Sequence, residues 1–239
     1  GGGDIAINAR NLDILQGSQL STGIGRGLGT PDAVAGDILL NATGEIRVAG
    51  IDSNIYNTVR LGAEGNGGST IIDSASFLLQ DGAQLITSTF GIGNAGNVRV
   101  STRDAVSLAD NAYILSTVVA GSDGQGGNID INAATFSLTD GSQLQTIIRG
   151  ASDTQSAGIG NAGNVNVKVT EAVDIAGRKN GFVSGIFSFV GTGAEGNGGN
   201  ITIDSGSFSL VYCALLSSST LGIGNAGNVQ VSARDAVSL

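Results

Sequence analysis

Gly91-Ile92-Gly93-Asn94-Ala95-Gly96-Asn97-Val98 occurs three times without change, returning at Gly158 to Val165 and at Gly222 to Val229. A looser relative lies between the copies: Gly-Asn-Gly-Gly-Ser at Gly65 to Ser69, Gly-Gln-Gly-Gly-Asn at Gly124 to Asn128, and Gly-Asn-Gly-Gly-Asn at Gly196 to Asn200. A glycine-rich corner that recurs at a near-constant interval, each time ahead of alternating aliphatics, is the signature of a repeat architecture. The glycine ahead of each first strand gives the register: Gly3, Gly36, Gly68, Gly96, Gly127, Gly163, Gly199 and Gly227, separated by 33, 32, 28, 31, 36, 36 and 28 residues. The whole chain, residues 1–239, therefore reads as one segment of eight repeats, the last of them partial.

Two kinds of repeat alternate. In one, a pair of apolar positions is answered seven residues later by a second pair: Ile5/Ile7 with Leu12/Ile14, Thr70/Ile72 with Phe77/Leu79, Ile129/Ile131 with Phe136/Leu138, Ile201/Ile203 with Phe208/Leu210. In the other the step is eight, as in Ile38/Leu40 with Ile46/Val48 and Val98/Val100 with Val106/Leu108. Apolar residues two apart mark a strand with one buried face. A third apolar position follows at Leu20, Leu85, Leu144 and Leu216, after Gly17 or after the Asp81-Gly82 and Asp140-Gly141 turns. Each repeat thus contains three short strands, none long enough for a stable hairpin of its own. They find partners in the next repeat, giving an all-β parallel β-helix with three strands per turn. Eight turns at the strand spacing would measure about 38 Å. An antiparallel sandwich is the competing architecture, but it gives no reason for one corner to repeat.

After the corner glycine the chain reads Asp4, Asp37, Ser69, Asn97, Asn128, Asn164, Asn200 and Asn228. Stacked one strand spacing apart, the amides of Asn97, Asn128, Asn164, Asn200 and Asn228 are expected to bond to one another along the axis, as in cross-β ladders. The glycine beside each is expected to supply a positive-φ bend. The loops after the third strand vary most, at Arg26–Ala35, Gly121–Gly126 and Arg149–Ala157. Two departures stand out: Gly177-Arg178-Lys179-Asn180-Gly181-Phe182, and Tyr212-Cys213 in place of Asp-Gly. The second is expected to strain its bend or to bury both side chains.

Composition narrows the function classes. Hydrophobic residues make up 41% of the chain, so it is built to fold around a core. A net charge of −9 argues against nucleic acid and against anionic membrane surfaces. No apolar run is long enough to cross a bilayer as a helix. The single cysteine allows no internal disulfide, and there is no histidine. The chain opens on Gly-Gly-Gly-Asp and closes inside a repeat, and so reads as a piece of a longer protein without a leader of its own.

Motifs that suggest chemistry are weak. Gly91-x-Gly93-x-x-Gly96 and its copies match the dinucleotide fingerprint, but a strand pattern follows where a helix is required. Asp123 and Glu195 each offer one carboxylate to a calcium ion in a glycine-rich loop, and no other cofactor is indicated. Asp73, Asp130, Asp204 and Asp104 with Arg103 are too scattered for the grouped carboxylates of a polysaccharide-cleaving groove. The clusters Thr87-Ser88-Thr89 and Ser217-Ser218-Ser219-Thr220 read as outward-facing strand residues. The sequons Asn41-Ala42-Thr43 and Asn200-Ile201-Thr202 read as chance matches.

With Gly-Asn-Ala-Gly-Asn-Val-x-Val, Asp104-Ala105-Val106-Ser107-Leu108 and Phe136-Ser137-Leu138-x-Asp140-Gly141-Ser142-Gln143-Leu144 in view, the chain resembles the repeats of filamentous-haemagglutinin-type exoproteins. The likeness is to the large cyanobacterial members exported by two-partner secretion. It covers essentially the whole chain and is specific for fold rather than ligand. It implies a right-handed β-helical shaft, secreted to the cell surface through an outer-membrane partner, that serves adhesion or forms an extracellular filament. Self-association and contact with surface glycans or receptors on other cells would be its partnerships. The resemblance implies no catalytic residue; glycan binding or polysaccharide cleavage is the alternative.

Overall fold

The computed structural model describes residues 2–239. The strands stack as a parallel β-solenoid of about eight turns, and among the described residues there is no helix. Three columns of strands run up it. The first holds Ile5–Ala9, Ile38–Ala42, Thr70–Ser74, Val98–Thr102, Ile129–Ala133 and Val165–Val169. The second holds Leu12–Leu15, Glu45–Ala49, Ser76–Gln80, Ala105–Leu108, Thr135–Thr139 and Ala172–Ala176. The third runs from Gln19–Ile24 to Leu215–Thr220 through seven strands. The long strand Ile201–Val211 runs through the bend and joins the first two columns into one sheet, and Val229–Ser238 stacks upon it.

Register follows the sequence marker. Ile5 stands beside Ile38, Thr70 beside Val98, Ile129 beside Val165, and Val165 beside Ile201. The seven- and eight-residue repeats differ by one residue at the first bend. Where that bend is continuous strand, the extra residue is a β-bulge: Ser205 and Ser207 face Ala233 and Ala236. In the second column Phe77, Phe136 and Phe208 alternate with Val106 and Val173. Large thus packs against small along the axis, which accounts for the doubling of the repeat.

The main core fills the space between the columns with Ile, Val, Leu and these Phe side chains, most of them fully buried. Smaller clusters lie beyond the third column, one around Val118, Ile148 and Val190, another around Ile24, Val59 and Ala63.

A polar column separates the main core from these clusters. Two residues past each inward Leu or Ile of the third sheet stand Thr22, Asn57, Thr87, Ser116, Thr146, Ser188 and Ser218. Asn57, Thr87, Ser116, Thr146 and Ser188 are buried. Thr87, Ser88 and Thr89 are therefore not the outward-facing residues their polarity suggests, and Ser217 to Thr220 are half-buried. For Asn57, Ser116 and Ser188 the reason is local, because their side chains bind the backbone of the corner, whereas the Thr87 and Thr146 hydroxyls are buried without a partner. Gly68, Gly127 and Gly199 donate their N–H groups to Asn57 Oδ1, Ser116 Oγ and Ser188 Oγ, at 3.2, 2.8 and 2.7 Å. Asn57 Nδ2 donates to Gly36 O at 2.8 Å.

The return loops are also more ordered than their composition suggests. Gly29–Val34, containing Pro31, is a strand bridging to Glu64–Asn66. Glu64, Ile92, Asp123, Ile159, Glu195 and Ile223 form an unbroken series of parallel bridges.

Candidate functional site

The corner motif is structural. Asn128 donates its backbone N–H to Asn97 Oδ1, Asn164 to Asn128, Asn200 to Asn164 and Asn228 to Asn200, each at 2.8 Å. Asp37 and Ser69 continue this toward the N-terminus, bonding to Asp4 Oδ1 and Asp37 Oδ1 at 2.8 and 2.7 Å. The ladder therefore runs from side-chain oxygen to the next turn's amide, which explains why Asp and Asn both serve. Side chains bond amide to amide in a second column that the sequence reading passed over. There Asn161 Nδ2 meets Gln125 Oε1 at 2.8 Å and Asn197 Nδ2 meets Asn161 Oδ1 at 3.0 Å. The unchanged Asn94, Asn161 and Asn225 were its visible signal.

The corner glycines are needed for a different reason from the one expected. None of Gly3, Gly36, Gly68, Gly96, Gly127, Gly163, Gly199 and Gly227 has a positive φ. From Gly36 onward, a Cβ at each would lie 1.8–2.3 Å from the carbonyl of the glycine one turn below, far inside contact distance. Gly3, at the end of the stack, meets nothing. Close approach of backbones excludes every side chain here.

Asp123 and Glu195 lie in the bridge column two turns apart, with Ile159 between them, and no metal-holding group of carboxylate or thiol side chains gathers among the described residues. Each glycine fingerprint runs into a strand, at Val98, Val165 and Val229. Asp73 and Asp204 share one outer column, four turns apart; Asp73 is flanked by Asn41 and Ser101, Asp204 by Lys168 and Ser232. Asp130 stands between Arg99 and Asn166, whose amide it accepts at 2.7 Å. Arg103 donates to Thr43 O at 2.7 Å, and Asn41 to Asn8 Oδ1 at 3.0 Å. The Tyr212-Cys213 bend is strained, with φ of 54° and 67°, but both side chains are exposed rather than buried.

What the coil does bring together lies on the outer face of the third sheet. Of three Tyr and seven Phe, Tyr56, Tyr113, Phe182, Phe187 and Phe189 lie on or over this face. The irregular segment supplies a lip. Arg178–Lys179 and Phe182–Val183 pair as a small antiparallel hairpin turned by Asn180 and Gly181. It folds down against earlier turns, where Lys179 forms an ion pair with Asp110 and Gln143 Nε2 donates to Val183 O at 2.8 Å. Phe182 sits edge-on to Tyr113, with centroids 6.2 Å apart and planes at 81°. Beneath lies a groove of about 370 Å³ lined by Gln84, Tyr113, Gln145, Arg149, Phe182 and Phe189, with Leu115 and Ile147 at its floor. Burial raises the Tyr113 pKa above 10.0, so its hydroxyl stays a donor at neutral pH. The hydrogen bond that Lys179 donates to Asp110, offset in part by desolvation, raises the Lys179 pKa.

Comparison with protein-family models, curated proteins and solved structures finds no match to this chain.

Proposed function

We propose that this chain is a length of structural and adhesive shaft from a secreted cell-surface exoprotein. The observation that carries this reading is the unbroken register. Backbone, glycine contacts and side-chain ladders all repeat along one axis, which gives a stiff rod whose outer faces are free to vary. The resemblance noted in the sequence adds export through an outer-membrane partner, and in the purified chain the outermost strands would template end-to-end association. Antibody against the chain, applied to intact source cells, should label their surface; labelling only after permeabilisation would overturn the surface reading. Electron microscopy of concentrated purified chain should show rods joined end to end, whereas isolated particles alone would remove the filament part.

A second reading, a polysaccharide-cleaving coil, draws on the turns before the third strand, which stack Asp81, Asp110 and Asp140 beside the groove. Release of reducing ends from acidic polysaccharides would favour it over the shaft.

A further inference from the structure

The groove under the hairpin has no part in holding the coil together. Its lining nevertheless combines aromatic rings, amides and a guanidinium. We propose that it is a carbohydrate-binding site that takes an extended pyranose oligosaccharide and places a carboxylate-bearing unit at Arg149.

Each part of the lining matches one feature of a sugar. A pyranose ring has an apolar C–H face and a polar hydroxyl rim. The rings of Tyr113, Phe182 and Phe189 supply flat apolar surface for the first. Gln84, Gln145 and the Tyr113 hydroxyl supply donors and acceptors for the second. Gln145 is held in place by donating its amide to Gln143, which is itself tied to the hairpin at Val183. A mainly apolar wall with a few fixed polar groups is how small-molecule sites gain both affinity and orientation. Arg149 is exposed and has no ion-pair partner among the described residues, so its planar fork is free for a carboxylate.

Other occupants fit less well. A peptide cannot add a strand here, because the interior strands of the third sheet already have neighbours on both sides. Nucleic acid carries a phosphate at every unit, for which the groove offers a single cation, Arg149, on a chain of net charge −9. The hairpin that completes the groove occurs in one turn only, so the site is a local addition to the repeat. The inference depends on the shaft reading only for access to external glycans; surface labelling tests that reading and binding by the purified chain tests the groove, so the two can fail separately.

The experiment is calorimetric titration of the full chain with neutral β-linked hexose tetrasaccharides and with tetrasaccharides containing uronic acid. Saturable binding is expected for both, tighter for the uronic acids. Tyr113→Ala and Phe189→Ala should each weaken it about tenfold or more, as loss of a central aromatic contact does. Phe182→Ala, on the exposed hairpin, should do the same and serves if the other variants fold poorly. Arg149→Gln should abolish the preference for uronic acid, and Asp13→Ala, exposed on the second sheet in the first turn, should change nothing. No binding to either class, or binding untouched by the groove variants, would overturn the proposal. Equal affinity of the native chain for both classes would remove the role given to Arg149.

Discussion

The corner at Gly-Asn and the turn before the third strand are both bends that every repeat must make, yet they treat sequence in opposite ways. At the corner the backbone of one turn rests on the next, and glycine is present in all eight repeats. At the turn, two successive residues take left-handed φ: Gln16-Gly17, Asp81-Gly82, Asp110-Asn111, Asp140-Gly141 and Tyr212-Cys213. Outside the stretch that the hairpin covers at Gly141, a side chain has room there (a Cβ at Gly17 or Gly82 would meet nothing closer than 3.4 Å), so a residue answers mainly for its own backbone strain, and the sequence drifts. The same contrast separates the interior from the outer face of the third sheet. Identity is enforced where neighbouring turns touch, and the freedom left elsewhere is where a hairpin and a groove have been added.

Substitution at the corner should break this contrast most severely. Gly163→Ala places a Cβ 2.0 Å from Gly127 O with only backbone around it. The turns must separate, and a loss of about 4 kcal/mol or more is expected by chemical denaturation. Gly3→Ala, at the same position of the repeat but with open space around it, should be close to neutral. Equal effects at the two sites would mean that the glycines serve something other than close stacking.

The polar column comes next. Asn57→Ala leaves the Gly68 N–H without its partner in the dry interior and the Gly36 carbonyl with the Thr22 hydroxyl alone, at a cost of about 2 kcal/mol. Asn57→Leu, though more apolar, should be no better.

At the permissive turn the change should have the opposite sign. Replacing Tyr212-Cys213 by Asp-Gly, as at Asp81-Gly82 and Asp140-Gly141, relieves left-handed strain at Cys213 and should raise stability by about 2 kcal/mol. A loss of stability would show that Tyr212 makes contacts that outweigh the strain.

The smallest effect concerns the hairpin. Lys179 has a folded pKa above its ordinary 10.5, so its contact with Asp110 stabilises fully below 10.5 and is lost as pH rises through the raised value. Both side chains are well exposed, so high salt should weaken the contact too. Nuclear magnetic resonance of the Phe182 and Tyr113 rings should report release of the hairpin at high pH without loss of the coil. Rings that stay together under those conditions would place the hold in packing alone.

The fold was legible because its period is written in residues that cannot vary: the corner glycines, the alternating aliphatics and the recurring Phe of the second column. Register partners such as Val98 and Ile129 follow from counting between markers. The polar column was harder to read, because Asn57 and Ser116 look like surface residues until their bonds to a distant corner are known. The difference between a positive-φ glycine and a close-approach glycine is likewise invisible in sequence, since both are simply glycine. The groove depended on where the insertion at Gly177 folds. Residues 178–183 lie against turns whose residues come some 40 to 70 positions earlier, and no local pattern carries that information.

The central claim is that neighbouring turns supply each strand's partner. Ser107 and Ser137 stand side by side in adjacent turns, with hydroxyls 2.8 Å apart. In a Cys213→Ser background, the pair Ser107→Cys and Ser137→Cys should form a disulfide in the folded chain under mild oxidation, because facing strand residues fall within the reach of that bond. Moving one partner by a single residue, to Leu138→Cys, should prevent it. Efficient cross-linking in the shifted pair, or none in the matched pair of a folded chain, would contradict the stacked coil.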